Sequence, residues 1–164
     1  MDIDTISWVE YVKKIARKLK RQKSLKEKLS LLATLKIDIF IGFFIIRKLI
    51  EDEKLSDWSA KVEICQQNAD KTSAKIDQMQ VKEISSRMIH RLTYRCEISN
   101  DGLRIEGVYF NSRQESNLIY LTLPKVIEIF NSADKDLACI TISKRSGKIK
   151  YYKKKTIRFA KDYS

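Results

Sequence analysis

The chain has 164 residues, of which 43% are hydrophobic and 33% charged, with only four Gly and one Pro. This composition excludes a largely disordered chain and predicts one folding unit over residues 1–164. The 33 basic and 21 acidic side chains leave a formal net charge of +12, which favours a polyanionic partner: nucleic acid, an acidic protein or, less strongly, an anionic membrane surface.

The cysteines and the apolar segments predict a cytoplasmic location. Cys65, Cys96 and Cys139 are odd in number and widely spaced, which is typical of buried thiols rather than of a disulfide framework or a zinc site. A reactive cysteine is the alternative. The N-terminus lacks a secretion signal pattern, and the apolar run at 39–46 is far shorter than the roughly 20 residues that cross a bilayer. We expect neither a metal nor a cofactor.

The first predicted element is an amphipathic helix. Its apolar face follows helical spacing and consists of Trp8, Tyr11 or Val12, Ile15 and Leu19. The other face is basic, and its cations are candidates for contact with nucleic-acid phosphates. These candidates are Lys14, Arg17, Lys18 and Arg21.

A second, longer helix is predicted over 24–53. Ser24 opens an S-x-x-E capping box at its start, and Gly42 is the residue expected to weaken it. Residues 37–46 are apolar on every side except at Asp38, so this segment is expected to be the centre of the core or of a dimer interface. Asp38 needs either an exposed side or an internal ion pair, because burying a lone carboxylate is costly.

The remaining elements are mostly strands. Period-two alternation predicts strands, Pro at a first position predicts a short helix, and Asn-Asp-Gly and Ser-Gly between alternating segments predict hairpin turns. In chain order we expect a strand at 61–66, a helix at 73–91, strands at 92–99, 103–110 and 118–123, a helix at 124–132 and a hairpin around Ser146 and Gly147.

The predicted fold class is therefore α+β. The N-terminal helices, one of them long, central and apolar, should pack with a C-terminal antiparallel β-sheet of four or five strands. Residues 1–92 should be mainly helical, and residues 93–158 should be mainly strands with a short helix at 124–132.

His90, the only histidine, is the main candidate for chemistry. The chain lacks the motifs of dinucleotide-binding, P-loop, zinc-hydrolase and serine-hydrolase enzymes. An imidazole can transfer protons near neutral pH, and a neighbouring guanidinium such as that of Arg87 can hold a phosphate. Together they suit metal-free RNA cleavage, in which a ribose 2′-OH attacks the adjacent phosphate, with Arg47 as a second cation. The alternative is that His90 only caps a helix end.

A basic C-terminal segment is the second nucleic-acid-binding candidate. Its tyrosines lie among lysines, and a basic strand with aromatic side chains can stack bases while its cations neutralise phosphates. A solvated edge strand protected by lysines would have the same sequence. The candidate residues are Lys148, Lys150, Tyr151, Lys153 and Lys154.

Two segments resemble a group of small uncharacterised bacterial proteins. The sequence DIFIGFFIIRKLIEDEKLS at 38–56 resembles their Arg-Lys-Leu helix, and RMIHR at 87–91 resembles their later Ile-His motif. A strand-rich ending follows in both. The resemblance covers much of the chain and implies no established activity.

In helical architecture, the first half is also similar to the HEPN superfamily, in which many members are metal-independent ribonucleases of toxin–antitoxin and defence systems. Active members carry an Arg four to six residues before a His on one helix. His90 matches that histidine, whereas Arg87 is only three residues upstream and residues 84–86 are Ile, Ser and Ser. Three alternatives follow: Arg47 or Arg91 replaces the missing arginine, the protein is an inactive relative, or only the helix packing is shared.

From these residues and resemblances we expect a basic protein that interacts with nucleic acid, in particular RNA, with ribonuclease activity centred on His90, Arg87 and Arg47. HEPN-like sites usually form across a dimer, which implies a homodimer. The alternative function is a non-catalytic interaction protein, such as an antitoxin or an assembly subunit, that binds an acidic partner. Peripheral membrane association through residues 1–23 is a third hypothesis.

Overall fold

The computed structural model describes residues 3–22, 29–66, 74–102, 104–112, 117–133, 139–142 and 149–152. Its helices are α1 (Ile3–Lys20), α2 (Leu29–Glu51), α3 (Val81–Ile89) and α4 (Leu123–Ser132). Its strands are β1 (Ser59–Gln66), β2 (Lys75–Gln80), β3 (Arg91–Ile98), β4 (Ile105–Ser112), β5 (Asn117–Thr122), β6 (Cys139–Ile142) and β7 (Ile149–Tyr152).

The α+β fold class is confirmed. Over the described residues, the strands form a five-stranded antiparallel sheet in the order β2-β1-β5-β4-β3 and a separate two-stranded pair, β6 and β7. α3 and α4 pack directly against the large sheet, α1 packs on α4, and α2 packs on both α1 and α3. The long apolar helix is therefore central, as predicted, and its C-terminal end lies beside the C-terminal end of α3.

The predicted hairpin around Asn100 is confirmed. β3 and β4 pair antiparallel, and Gly102 in the connecting turn has a φ of +70°, which residues with a side chain rarely adopt. The Gly102 N–H donates to Ser99 O at 2.8 Å and closes the turn. The second predicted hairpin is present as β6 and β7, while its turn residues Ser146 and Gly147 lie outside the described residues.

The helix predicted at 73–91 is wrong over its first part. Lys75–Gln80 forms β2, an edge strand paired with β1, and α3 begins only at Val81. Ile76 is 68% exposed on this strand. Residues 1–92 therefore contain two strands, β1 and β2, in addition to the helices α1, α2 and α3.

Residues distant in sequence determine where α3 begins. Its N-cap residue, Gln80, makes no side-chain capping bond. Instead, the Val81 N–H donates to Trp58 O at 2.8 Å, and the Lys82 N–H donates to Asp57 Oδ1 at 3.0 Å. These bonds satisfy N–H groups that the start of a helix leaves unpaired, so the cap is supplied by the loop before β1.

The apolar face of α1 differs slightly from the predicted one. Val12 and Leu19 are buried as expected, together with Val9, but Trp8 is 47% and Tyr11 is 43% exposed. The buried apolar residues of α1 therefore begin at Val9 rather than at Trp8. Helix α1 packs against α4 and α2 along these residues, and its basic face is left at the surface.

Asp38 and its apolar neighbours on α2 have different surroundings. Asp38 is 9% exposed, and its Oδ2 lies 2.5 Å from Nζ of Lys18 on α1, which confirms the internal ion pair. The expectation that 37–46 is covered on every side is wrong, since Ile37 is 57% and Phe44 is 49% exposed. These two residues are about two turns apart and lie on one exposed face of α2. A dimer interface on this face stays a prediction.

Helix α4 meets α2 at Gly42. A Cβ placed on Gly42 would lie 2.4 Å from Cζ of Phe130, so the phenyl ring occupies the space of the missing side chain. The Phe130 ring also packs edge-on against Phe43, with ring centroids 5.1 Å apart. Gly42 is thus required for helix packing, which its effect on helix propensity alone does not reveal.

Candidate functional site

His90 lies at the junction between α3 and β3. Its backbone N–H donates to Ser86 O at 3.0 Å, and it is the C-cap residue of the helix, with φ −89° and ψ 23°. Because Arg91 begins β3 directly afterwards, the chain turns at His90 and leaves this residue exposed at the surface. The predicted position at a helix end is confirmed.

The structure brings Arg47 into contact with His90. Nη1 of Arg47, in the last turns of α2, lies 3.1 Å from Nε2 of His90. A guanidinium remains protonated and can only donate, so Nε2 must be the acceptor. The imidazole proton is therefore assigned to Nδ1, and His90 is neutral in this contact. We refer to this pair as the Arg47–His90 contact.

Glu51 binds the other edge of the Arg47 guanidinium. Nε of Arg47 donates to Oε1 of Glu51 at 2.8 Å. This hydrogen bond lowers the pKa of Glu51, against the opposing effect of desolvation, and the charges of Arg47, Lys82 and Lys48 lower it further. The ionised carboxylate holds the guanidinium beside the imidazole. Glu51 was not among the predicted site residues, although four residues after Arg47 is the usual spacing of a helical ion pair.

Arg87, the third predicted catalytic residue, forms an ion pair with Glu83 one turn earlier on α3. Its Nη2 and Nε lie 2.6 and 3.1 Å from Oε1 of Glu83. Glu83 was also missed, and it has the same helical spacing from its arginine. Arg91, the alternative arginine, begins β3, and its side chain lies outside the described part of the structure.

The Arg47–His90 contact can bind an anion but cannot accept a proton in the arrangement observed. The lone pair on Nε2 faces Arg47, and Nδ1 carries the imidazole proton. If a phosphate took the N–H groups of Arg47, Nε2 would be released beside that phosphate. Substrate binding and exposure of the base would then be one movement of Arg47.

The basic face predicted for α1 is exposed. Arg17 lies 3.5 Å from Glu10, and Lys18 is held by the ion pair with α2 described above. Within the described residues, Lys14 and Arg21 have no ion-pair partner. Two of the four predicted cations are therefore already neutralised by neighbouring carboxylates, and two can meet an external anion.

The basic face of α1 and the Arg47–His90 contact lie on opposite sides of α2. Lys18 reaches α2 at Asp38, and Arg47 lies nine residues further along the same helix. Nine residues correspond to about 2.5 turns, which places the two side chains on opposite faces. The predicted phosphate-binding cations of α1 and the Arg47–His90 contact therefore lie on separate surfaces.

The basic C-terminal candidates are only partly described. Lys150 and Tyr151 belong to β7, which pairs with β6. Their side chains lie outside the described part of the structure, as do the whole residues Lys148, Lys153 and Lys154. Contact between this segment and nucleic acid stays a prediction.

The two cysteines whose side chains are described, Cys65 and Cys96, have the surroundings of structural thiols. Cys65 is buried on β1, and Cys96 is partly buried on β3. Desolvation raises the pKa of Cys96 to about 11 and outweighs the opposing charge of Lys36. Cys139 begins β6, and its side chain lies outside the described part. The raised pKa of Cys96 disfavours the thiolate that a reactive cysteine needs.

We expect iodoacetamide to alkylate Cys96 about 100-fold more slowly in the folded protein than in urea at pH 8, because a pKa of about 11 instead of 9.0 leaves far less thiolate. Site-resolved mass spectrometry measures both rates. The pKa of Cys96 is higher in the folded than in the unfolded protein, so the contribution of this thiol to the free energy of unfolding is fully present below pH 9. That contribution is lost as the pH rises towards 11. Equal rates in the two states would contradict a protected thiol.

The described part of the chain contains no group of three or more His, Cys, Asp and Glu side chains placed to hold a metal ion. None of its helices combines the length and the apolar character needed to span a bilayer. Comparisons of the chain with protein-family models, with curated proteins and with solved structures found no match.

Proposed function

We propose that the protein binds RNA and cleaves it without a metal ion at the Arg47–His90 contact. The observation that carries this proposal is the 3.1 Å approach of a guanidinium to the only imidazole of the chain, at an exposed helix end. Residues from two helices, far apart in sequence, supply the phosphate-binding group and the proton acceptor that the reaction needs. The net charge of +12 supports attraction of a polyanion to this surface.

In the proposed reaction, a phosphate of RNA first takes the N–H groups of Arg47. Nε2 of His90 then accepts the proton of the neighbouring 2′-OH, and that oxygen attacks phosphorus. The bond to the 5′-oxygen breaks, and the leaving oxygen takes a proton from water. Arg47 stabilises the negative charge that develops on the phosphate, and the products are a 2′,3′-cyclic phosphate and a 5′-hydroxyl.

One observation favours a second function, which is binding of an acidic partner without catalysis. In the structure Nε2 of His90 is occupied by Arg47, and both Arg47 and Arg87 already bind carboxylates of their own helices. Carboxylates of a partner could replace these intrahelical ones without any proton transfer. The two functions differ in whether RNA is bound and cut.

Labelled single-stranded RNA tests the proposal when it is incubated with the protein in EDTA. The matched control is the same sequence with every 2′-OH methylated, which retains the phosphates but lacks the nucleophile. We expect both RNAs to bind, with affinity falling as salt rises, and only the unmodified RNA to be cut to cyclic-phosphate products. Absence of RNA binding at moderate salt would overturn the proposal, and binding without cleavage would favour the non-catalytic function.

A further inference from the structure

A pocket of about 350 Å³ lies where the end of α1 meets the starts of β4 and α4, and we name it the α1–β4 pocket. Its volume is at the lower end of the range of about 300–1,000 Å³ seen for small-molecule sites. One part of the lining is cationic and another is apolar. The cationic residues are Lys20, Arg21 and Arg104, and the apolar ones include Leu123, Pro124 and Ile127.

The positive charge of this pocket is not balanced within the described part of the chain. The described lining contains no acidic residue, and Lys20, Arg21 and Arg104 have no ion-pair partner among the described residues. Arg47 and Arg87, by contrast, each bind a glutamate one turn away. Like charges held close together repel one another, and an anion between them would relieve that repulsion.

Gln22 fixes the position of two of these cations. Its Nε2 donates to Ile105 O at 3.0 Å, and its Oε1 accepts the Ile105 N–H at 3.1 Å. This paired bond joins the end of α1 to the first residue of β4. Arg21 and Arg104 directly precede the two bonded residues, so they are carried on backbone that is already ordered before a ligand arrives.

Two further pockets have different chemistry. The groove beside Tyr94, of about 400 Å³, contains Lys36, whose Nζ lies 5.5 Å from the centre of the tyrosine ring. The pocket beside Trp8, of about 300 Å³, contains both Lys48 and Asp52, which form an ion pair at 3.0 Å. Of these three pockets, the α1–β4 pocket is the one that combines several unneutralised cations with an apolar wall.

We infer that the α1–β4 pocket binds a nucleoside phosphate, with the phosphate among the three cations and the base against Pro124 and Ile127. A phosphate monoester carries a charge of about −1.5 to −2 at pH 7, which suits three cations better than the single charge of a carboxylate. Guanidinium groups can bind such a phosphate through two parallel hydrogen bonds. The ligand is either a free mononucleotide or the 5′-phosphorylated end of an RNA.

This pocket is separate from the Arg47–His90 contact. It lies at the C-terminal end of α1, the helix that covers the Asp38 side of α2, whereas Arg47 is on the opposite side of α2. Binding of a free mononucleotide therefore goes beyond the proposed function. Only the recognition of an RNA end rests on the proposed function.

Isothermal titration calorimetry of the full chain with uridine 5′-monophosphate tests the inference. We expect the nucleotide to bind more tightly than uridine or inorganic phosphate, and Arg104→Gln to weaken it about tenfold through loss of a charge-assisted hydrogen bond. The matched control is Arg95→Gln, the same charge change at an exposed position of β3 outside the pocket, which should bind as the unaltered protein does. Thermal unfolding of both variants checks that they fold.

A second titration uses 2′-O-methyl RNA with a 5′-phosphate or a 5′-hydroxyl. Tighter binding of the 5′-phosphorylated RNA than of the 5′-hydroxyl RNA would identify the RNA end as the ligand, and equal binding of both RNAs would identify the free nucleotide. Unchanged nucleotide binding by Arg104→Gln would overturn the inference, and so would inorganic phosphate binding as tightly as the nucleotide. It would also be overturned if the free nucleotide does not bind and the 5′-phosphate has no effect on RNA binding. Failure of RNA cleavage would not affect these results, because a mononucleotide has no internucleotide linkage to cut.

Discussion

Replacing His90 with Ala should slow metal-free RNA cleavage by about 10²–10⁴-fold, the usual cost of losing a general base. The chain has no other imidazole to take over the proton transfer. Binding of the 2′-O-methylated RNA should change much less, because the phosphates are held by arginine. Rates of product formation by the two proteins in EDTA give the comparison. Partial recovery of the His90→Ala rate on adding free imidazole would show a chemical rather than a structural role.

Arg47 and Lys48 provide a matched pair of variants for this prediction. Both are cations on α2, and each binds a carboxylate four residues later, but Arg47 also contacts His90. Arg47→Gln should therefore reduce both RNA binding and cleavage, whereas Lys48→Gln, with the same loss of charge, should have a small effect. Equal losses in the two variants would mean that only net charge matters. Unchanged cleavage by His90→Ala would exclude His90 as the catalyst.

Replacing Phe130 with Ala should lower the free energy of unfolding by about 3–5 kcal/mol, as expected for truncating a fully buried aromatic side chain. Gly42→Ala alone should also be destabilising, by about 1–3 kcal/mol, because the new methyl group would overlap the Phe130 ring. Helix propensity acts in the opposite direction and favours Ala by about 1 kcal/mol. The steric term is the larger because the ring is packed on every side.

The double variant distinguishes these two terms. Once Phe130 is Ala, the space above Gly42 is empty, so Gly42→Ala should now stabilise the protein by up to about 1 kcal/mol. Urea unfolding followed by circular dichroism gives all four free energies. Phe44→Ala is the control for truncating a phenylalanine, because that residue is half-exposed on the same helix. A Gly42→Ala effect that is the same with and without the ring would contradict the packing described for α2 and α4.

Local signals explain which parts of the fold were predictable. Pro124 favours a helix start and Gly102 favours a tight turn through their own backbone preferences. The helix α4 and the β3–β4 hairpin were both predicted correctly. The start of α3 depends on hydrogen bonds that its N–H groups donate to Asp57 and Trp58, which are more than 20 residues away. The spacing of apolar residues around Ile76 favoured a helix at this segment. Pairing with β1, which the local sequence does not reveal, makes it the edge strand β2.

The candidate site was predictable in its chemistry but not in its geometry. The side-chain chemistry of His90 and Arg47 was enough to name them as candidates for RNA cleavage. Their contact was not predictable, because it joins residues 43 positions apart and requires α2 and α3 to pack together. The glutamates that hold the two arginines had a usable signal in their helical spacing. Of the three cations in the α1–β4 pocket, Arg21 was predicted to contact phosphate. Its place in one pocket with Arg104 was not predictable, since the contact that joins the two segments is between Gln22 and Ile105, 83 positions apart.

NMR of the single imidazole tests phosphate binding at the Arg47–His90 contact most directly, because one histidine gives one set of ring nitrogen resonances. At pH 8 the free protein should show a neutral ring with the proton on Nδ1 and an unprotonated Nε2. Addition of 2′-O-methyl RNA, which binds without being cut, should shift the Nε2 resonance as Arg47 turns from the imidazole to a phosphate. An Nε2 resonance that stays unchanged at saturating RNA would contradict binding at this site.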